Sequence, residues 1–498
     1  MPRLRDPIAR SFDMSLHRIS ASACITAALT SLLALAAQTA LAQPRHGERV
    51  RDDLDRGRSH RPAELIIQFK ATASEADIRR AMSRVQGTVS EEVARKSNRR
   101  DRKGDLLSIR TGQGRSLKDA MTQIEADDAV EFVEPNWTYT HQQVANPNDP
   151  AMAGSCTAPD AYNGNVRSHC LWGVLSATTS PANPYGSGAL AALSAGAKCS
   201  SAVHVGVIDE GVMISHPDLS TNIWVNSRDS AVDRLDNDLN GFIDDTNGWD
   251  FAGRNRTVYD GASDDHGSHV AGTIAARANN SAGGFGICPT AKIISAKFLG
   301  TFGGTTANAI ASINYITNLK LRNPTMRIVA TNNSWGGGGF SQGLADAITA
   351  AGNAGILFVV AAGNSNVNID AAPSYPASYN LPNMITVAAI NSAGSRASFS
   401  NYGANSVHIA APGTNIYSTV PNSRGQAAYS YYAGTSMATP HVTGAAALYA
   451  SMCPNATAAQ IKNAILSAAK LNGNLTGLVQ NARQLDVSSF VPGMVCPQ

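Results

Sequence analysis

Two hydrophobic patterns divide the chain. Between residues 63 and 140, short apolar runs at 65–69, 106–109 and 130–133 alternate with stretches of helical spacing at 74–85 and 117–124. Strands interleaved with helices over this length predict a small α+β domain. From residue 171 onward the runs change character. Those at 203–208, 293–298, 328–331, 356–362, 385–389 and 407–410 are continuously apolar and β-branched, with Ala-rich helical stretches between them. A strand apolar on both sides must be covered on both sides. The pattern therefore predicts an α/β domain over 171–498, a mostly parallel central sheet flanked by helices. Functional residues of such sheets lie beyond the carboxyl ends of the strands. Asp209, Ser334 and Asn364 stand just past three of those ends.

The ends of the pattern carry other information. Arg3, Arg5, Arg10 and Arg18 precede an apolar run over 25–37 that closes on Ala40-Leu41-Ala42. A basic stretch, a short apolar stretch and small residues before a cut site predict an export signal over 1–42. Initiation at Met14 would shorten it. The run is shorter than the roughly 20 residues that cross a bilayer, so no membrane anchor is expected. The protein is then secreted, to the periplasm or the medium. Residues 43–62, charged and punctuated by Pro and Gly, read as a flexible leader. Residues 141–170 read as an exposed linker and N-terminal extension of the following domain, suited to proteolytic cutting.

Charge and cysteines narrow the class. Residues 1–146 hold 23 of the 40 Lys and Arg and 19 of the 37 Asp and Glu, leaving the larger domain nearly neutral. Phosphate recognition needs a concentrated basic surface, so nucleic acid is not the expected partner. Of seven cysteines, Cys24 leaves with the signal. Cys156, Cys170, Cys199, Cys288, Cys453 and Cys496 form an even set in an oxidising compartment, which implies three disulfides. A 156–170 bridge would be local and a 453–496 bridge would pin the C-terminus. No Cys-x-x-Cys spacing points to zinc.

Three polar segments hold the parts of an acyl-transfer site. Val207-Ile208-Asp209-Glu210-Gly211 sets a carboxylate at a strand end. Asp265-His266-Gly267-Ser268-His269 opens an Ala-rich helix. Gly434-Thr435-Ser436-Met437-Ala438-Thr439-Pro440 opens another, with Pro440 placed near its first turn. A serine hydroxyl becomes nucleophilic when an imidazole takes its proton, and a carboxylate must fix the imidazole's tautomer. Ala361-Ala362-Gly363-Asn364 adds a side-chain amide, so Asn364 and the Ser436 N–H are the candidate oxyanion donors. His216, His269 and His441 read as structural.

These segments, in the order Asp209, His266, Ser436, resemble the signature blocks of the subtilisin-like serine peptidases. Further likeness lies in the His-Pro-Asp-Leu stretch at 216–219, Asn333-Ser334-Trp335-Gly336, Tyr375-Pro376-Ala377 and Ala411-Pro412-Gly413. Residues 64–137 resemble the inhibitory propeptide of that family. The resemblance implies a monomeric endopeptidase made as a zymogen, with its own propeptide as intramolecular inhibitor and a mature N-terminus between about residues 138 and 150. It also implies a 199–288 bridge and a peptide cleft lined by Ser334, Trp335, Gly336, Ala361 and Gly363. Ser374 would lie near the floor of the main pocket. The lack of an acidic residue at those positions favours an apolar or broad preference, subject to nearby Asp370. Glu210 departs from the usual neutral hydroxyl residue, and its charge would raise the imidazole's pKa.

One acidic stretch stands apart. Asp236-x-Asp238-x-Asn240-Gly241 presents oxygen ligands at alternate positions with a glycine for the turn, as hard cations require. A structural Ca2+ held by Asp236, Asp238, Asn240, Phe242 and Asp245 is expected, since so many carboxylates repel one another without a cation. Asn247 stands where an EF-hand would have glutamate. An esterase is excluded by the triad order and the missing second glycine after Ser436. A catalytically dead binding module is disfavoured because no triad or oxyanion residue is absent.

Overall fold

The computed structural model describes residues 46–98, 101–143, 171–180, 182–280 and 282–497. The export signal and Cys156–Cys170 lie outside them.

The first unit is an antiparallel sheet with two helices on one face. Its strands are β1 (His60–Phe69), β2 (Thr88–Ala94), β3 (Leu106–Arg110) and β4 (Val130–His141), in the order β4-β1-β3-β2. Helix α2 (Glu75–Ser83) starts at Ser74, which forms a capping box with Asp77; helix α3 (Leu117–Glu125) starts at Ser116. Their apolar stripes, Ile78 and Ala81, then Ala120, Met121 and Ile124, are buried.

Two features differ from the sequence reading. Residues 43–62 were expected to be a flexible leader, yet helix α1 (His46–Asp55) forms there and β1 begins at His60. The reason is tertiary. Asp53 is buried and accepts the Phe340 N–H at 2.6 Å, the His46 ring lies against Phe132 and Phe340, and the Arg49 guanidinium sits 5.1 Å from the Phe340 ring. Strand β4 also runs well past the expected 130–133. Its far end is a strand because it pairs with the second unit.

That second unit is built on a nine-stranded sheet. The parallel core, in the order β6-β7-β5-β9-β11-β12-β13, comprises Gly248–Asp250, Lys292–Lys297, Val203–Asp209, Arg327–Asn333, Leu357–Ala361, Met384–Ile390 and Ile409–Pro412. Short strands β16 (Lys470–Leu471) and β17 (Arg483–Gln484) extend it at one edge. Every apolar run read as a strand overlaps one, although the run at 407–410 becomes a strand only at Ile409. Helices α5 (Asp265–Ala275) and α8 (Thr435–Met452) cover one face, α6 (Thr306–Arg322) and α7 (Gln342–Asn353) the other. Small residues let α8 pack centrally; Ala445, Ala446 and Ala447 are fully buried.

From β5 the chain crosses to β7 on one side and later to β9 on the other. A crevice opens where neighbouring strands connect in opposite directions. The first unit docks on the α6–α7 face, and its core is continuous with theirs. Buried Glu134 accepts hydrogen bonds from the Ser341 hydroxyl (2.6 Å) and the Gln342 and Gly343 N–H groups (2.8 and 3.3 Å), so it caps α7 from across the interface. Bridges Cys199–Cys288 and Cys453–Cys496 are both formed. Among the described residues no helix is long and apolar enough to cross a membrane.

Candidate active site

Asp209 ends β5 and is buried. His266 lies in the first turn of α5, which presses on the turn after β5; a Cβ at Gly267 would fall 2.1 Å from the Gly211 carbonyl oxygen. That approach is open only to glycine, and it brings His266 Nδ1 to 2.8 Å from Asp209 Oδ1. The carboxylate thus fixes Nδ1 as the protonated nitrogen and leaves Nε2 able to accept a proton. Burial alone would depress the imidazole's pKa. The Asp209 carboxylate in contact, with Glu210 and Asp265 beyond it, holds it above the ordinary 6.5. The expected effect of Glu210 is present in this balance. Glu210 Oε1 also accepts the His266 backbone N–H at 2.5 Å, tying the start of the helix to the end of the strand.

Ser436 stands in the first turn of α8. Pro440 is the sixth residue of that helix, past the first turn where the sequence placed it. Having no N–H, it leaves the Ser436 carbonyl without its intrahelical donor. The Ser334 hydroxyl fills the gap at 2.9 Å. The Ser436 hydroxyl donates in return to the Ser334 carbonyl, also at 2.9 Å. His266 Nε2, buried within the same site, has no hydrogen-bond partner in this state. The serine–imidazole hydrogen bond that the motifs lead one to expect is therefore not made while the cleft is filled.

What fills it is the end of β4. His141 pairs antiparallel with Trp335, and Thr140 with Gly336, in strand β10 (Trp335–Gly336). On the other side, Thr138 and Tyr139 pair with Thr305 and Gly304 of strand β8 (Gly304–Thr305). An extended segment is thus added between two strands of the larger unit. Gln142 N–H donates to the Ser334 carbonyl at 3.0 Å, and the Gln142 carbonyl accepts the Ser436 N–H at 3.1 Å. Beside that oxygen is Gly434, where a Cβ would sit 2.4 Å from it and 3.3 Å from Asn364 Nδ2. This amide nitrogen is buried and unpartnered. An orphaned donor costs roughly 1–3 kcal/mol, and it borders the space where a carbonyl oxygen would take on charge.

The remaining candidates are distributed as follows. The Gln142 side chain lies beside Gly336 and Gly363, each of which has it within 3.8 Å of a virtual Cβ. Ala361 ends β11, just before that turn. Trp335 is fully buried, its ring 5.2 Å from that of Tyr139. Ser374 takes the Ser378 hydroxyl at its own N–H. The Asp370 carboxylate is held by the Asn405 and Ser406 N–H groups, so it is committed locally. His269 is stacked on Tyr432 with Nε2 on the Ile416 carbonyl, and burial drives its pKa down to about 3; His441 bonds the Met437 carbonyl and is pushed to about 4. Strand β8 was missed by the sequence reading, although the Gly300-x-x-Gly303-Gly304 cluster after a strand was a signal for it.

The acidic loop brings Asp229, Asp236 and Asp238 together, with carboxylate oxygens within 4.8 Å of one another. Asp229 is buried and lies outside the alternating run, so the motif did not find it. Asn240 folds over this group, its amide oxygen accepting the Phe242 N–H at 2.8 Å. Asp245 is engaged by the Tyr315 hydroxyl and the Asn226 and Asn240 amides, and burial raises its pKa to about 6. The Phe242 ring packs against Trp249, Phe251 and Tyr315. Three converging carboxylates suit a hard divalent cation.

Fold and site together define the class, a parallel α/β sheet that gathers an aspartate, a histidine and a serine at its carboxyl ends, with the last strand of a preceding prodomain laid across them. The model of the subtilase family, Peptidase_S8, matches residues 200–486, and that of the fervidolysin N-terminal prodomain matches 50–136. The chain belongs to the subtilase family. It is 39% identical over 269 residues to an extracellular basic protease of Dichelobacter nodosus, covering 50% of this chain and 43% of that one. It is 36% identical to thermitase of Thermoactinomyces vulgaris, over 55% of this chain and 84% of the relative. Among solved structures it is similar to fervidolysin of Fervidobacterium pennivorans, a keratinolytic enzyme related to subtilisin. The TM-score is 0.63 and the identity 25%, over 92% of this chain and 63% of the other. The chain spans less than half the length of the Dichelobacter relative.

Proposed function

We propose that the protein is an exported serine endopeptidase that acts through an acyl-enzyme on Ser436 and is made as a self-processing zymogen. The observation that carries this is the peptide carbonyl of Gln142 held against the Ser436 N–H, beside the unpartnered Asn364 amide. For reaction, the Ser436 hydroxyl leaves the Ser334 carbonyl, gives its proton to His266 Nε2 and attacks the carbonyl carbon. Asn364 Nδ2 and the Ser436 N–H stabilise the oxyanion. The imidazolium, steadied by Asp209, passes the proton to the departing amine as the C–N bond breaks. Water, deprotonated by the same nitrogen, then frees the acid.

The docked prosegment acts as intramolecular inhibitor because it occupies the cleft with its own strand. Export follows from the signal over 1–42, and the relative named extracellular supports it. The side chain preceding the bond at Ser436, Gln142, is uncharged and lies beside Gly336 and Gly363, which supports a broad or apolar preference over a basic one. A Ca2+ ion at Asp229, Asp236 and Asp238, with Asn240, Phe242 and Asp245 around them, would neutralise the clustered charge and stabilise the loop before His266.

The test compares the full-length protein with Ser436→Ala. The wild type should shed its prosegment and hydrolyse casein in a manner that phenylmethylsulfonyl fluoride abolishes, while the variant stays intact. Processing of the purified variant at the wild-type rate would overturn the proposal.

A further inference from the structure

The end of β4 is held as a substrate would be held, in a register the hydrogen bonds fix. Thr140 and His141 pair with Gly336 and Trp335, Gln142 N–H reaches the Ser334 carbonyl, and the Gln142 carbonyl alone meets the Ser436 N–H. The bond that follows this carbonyl joins Gln142 to Gln143. One residue earlier, the His141 ring stacks on that of His266, with centroids 4.8 Å apart and planes at 21°. Its Nδ1 lies 3.4 Å from Glu210 Oε2. Glu210 is 8% exposed, and its other oxygen is spent on the His266 N–H. A largely buried carboxylate with one oxygen turned to a substrate side chain favours a partner that donates or carries positive charge.

We infer that the maturation cut falls between Gln142 and Gln143, and that Glu210 makes the subsite beneath His141 select histidine or a cationic side chain. The inference rests on the serine peptidase reading above and deepens it. The same subsite then shapes the choice of protein substrates, which are favoured when His, Lys or Arg precedes the residue bearing the cleaved carbonyl. At the bond itself the chemistry is ordinary hydrolysis. Gln142 ends as a free carboxylate, Gln143 becomes the new amino terminus, and one water is consumed.

Two measurements test it. Mass spectrometry of the freshly self-cleaved complex should find a prosegment ending at Gln142 and a mature chain starting at Gln143. Quenched peptides Tyr-Thr-Xaa-Gln-Gln, with Xaa as His, Lys, Ala or Glu, are then compared on wild type and Glu210→Gln. Glutamine can still accept the His266 N–H, so the variant removes the charge and keeps the tie. Wild type should favour His and Lys over Ala in kcat/KM by roughly fivefold, the scale of a partly exposed charge pair, and disfavour Glu. In Glu210→Gln the His-to-Ala and Lys-to-Ala ratios should approach one. These ratios are taken within each enzyme, so a general loss of activity cancels. As an independent check, His141→Glu in the full chain should slow self-processing and His141→Lys should not; His141 is exposed, so folding is not at stake.

A casein-hydrolysing, Ser436-dependent enzyme whose prosegment ends elsewhere overturns the bond assignment alone. Equal ratios in wild type and Glu210→Gln overturn the role of Glu210. Absence of any Ser436-dependent hydrolysis overturns the function proposed above, and this inference with it.

Discussion

Glu134 offers a quantitative test of how the prosegment is held. The residue is fully buried where β4 meets α7, and burial raises its carboxyl from an ordinary 4.5 to about 7 despite hydrogen bonds from Ser341, Gln342 and Gly343. Undocked, the same group faces water. The docked state therefore binds a proton that the undocked state has lost over the interval between these values. Below pH 4.5 both states are protonated and the residue contributes its full stabilisation. As pH rises towards 7 that contribution is lost, and above 7 the loss is complete. At 1.36 kcal/mol per pH unit of displacement, the total is about 3 kcal/mol, or roughly 10²-fold in dissociation constant. His46 lies 3.7 Å away, and burial lowers its pKa, so it opposes docking on the acid side. Comparison with Glu134→Gln at each pH cancels most of the His46 effect, because both proteins carry it. The assay dilutes the self-cleaved complex into a quenched-peptide reaction between pH 5 and 7.5. The dissociated fraction is read as initial rate over the rate of prosegment-free enzyme at the same pH. The wild-type dissociation constant should climb by one to two orders of magnitude more than that of Glu134→Gln. Parallel curves for the two proteins would refute the reasoning.

Three further outcomes are expected. Asn364→Ala should lower kcat by about 10²–10³ with little change in KM; an equal loss through KM would mean the amide binds substrate only. The acid limb of kcat/KM should fall above pH 6.5, because His266 must be neutral to act as base and its neighbours hold its pKa up, and it should move to lower pH in Glu210→Gln. Chelation should lower the melting temperature and hasten self-digestion, and Asp229→Ala should reproduce the effect in the absence of chelator; a melting temperature indifferent to both would remove calcium from the loop.

Much of the larger unit was legible because its strands are buried on both faces, which leaves a continuous apolar signature. The local motifs were legible for a related reason. A triad needs particular residue types at strand ends and helix starts, and Asp209, His266 and Ser436 stand there. Less was visible wherever a residue's role depends on a distant partner. Helix α1 has a charged sequence that no local rule favours, and it is ordered by Phe340. Asp229 joins Asp236 and Asp238 only when the loop closes. Lys297 and Asp264, a buried pair at 2.6 Å joining the end of β7 to the start of α5, are unremarkable in the sequence.

By itself the sequence determined the parallel sheet, the α+β character of the segment before it and the residues proposed here as the reacting groups, because periodicity and motif spacing are local properties that survive without a partner. Tertiary structure decided the rest. It extended the strand read over 130–133 as far as His141, placed the Gln142 carbonyl at Ser436, and parked the serine hydroxyl on Ser334 instead of His266. Those outcomes follow from docking one unit against the other, where unpaired backbone edges on both sides are satisfied at once, and no stretch of either unit contains that information alone.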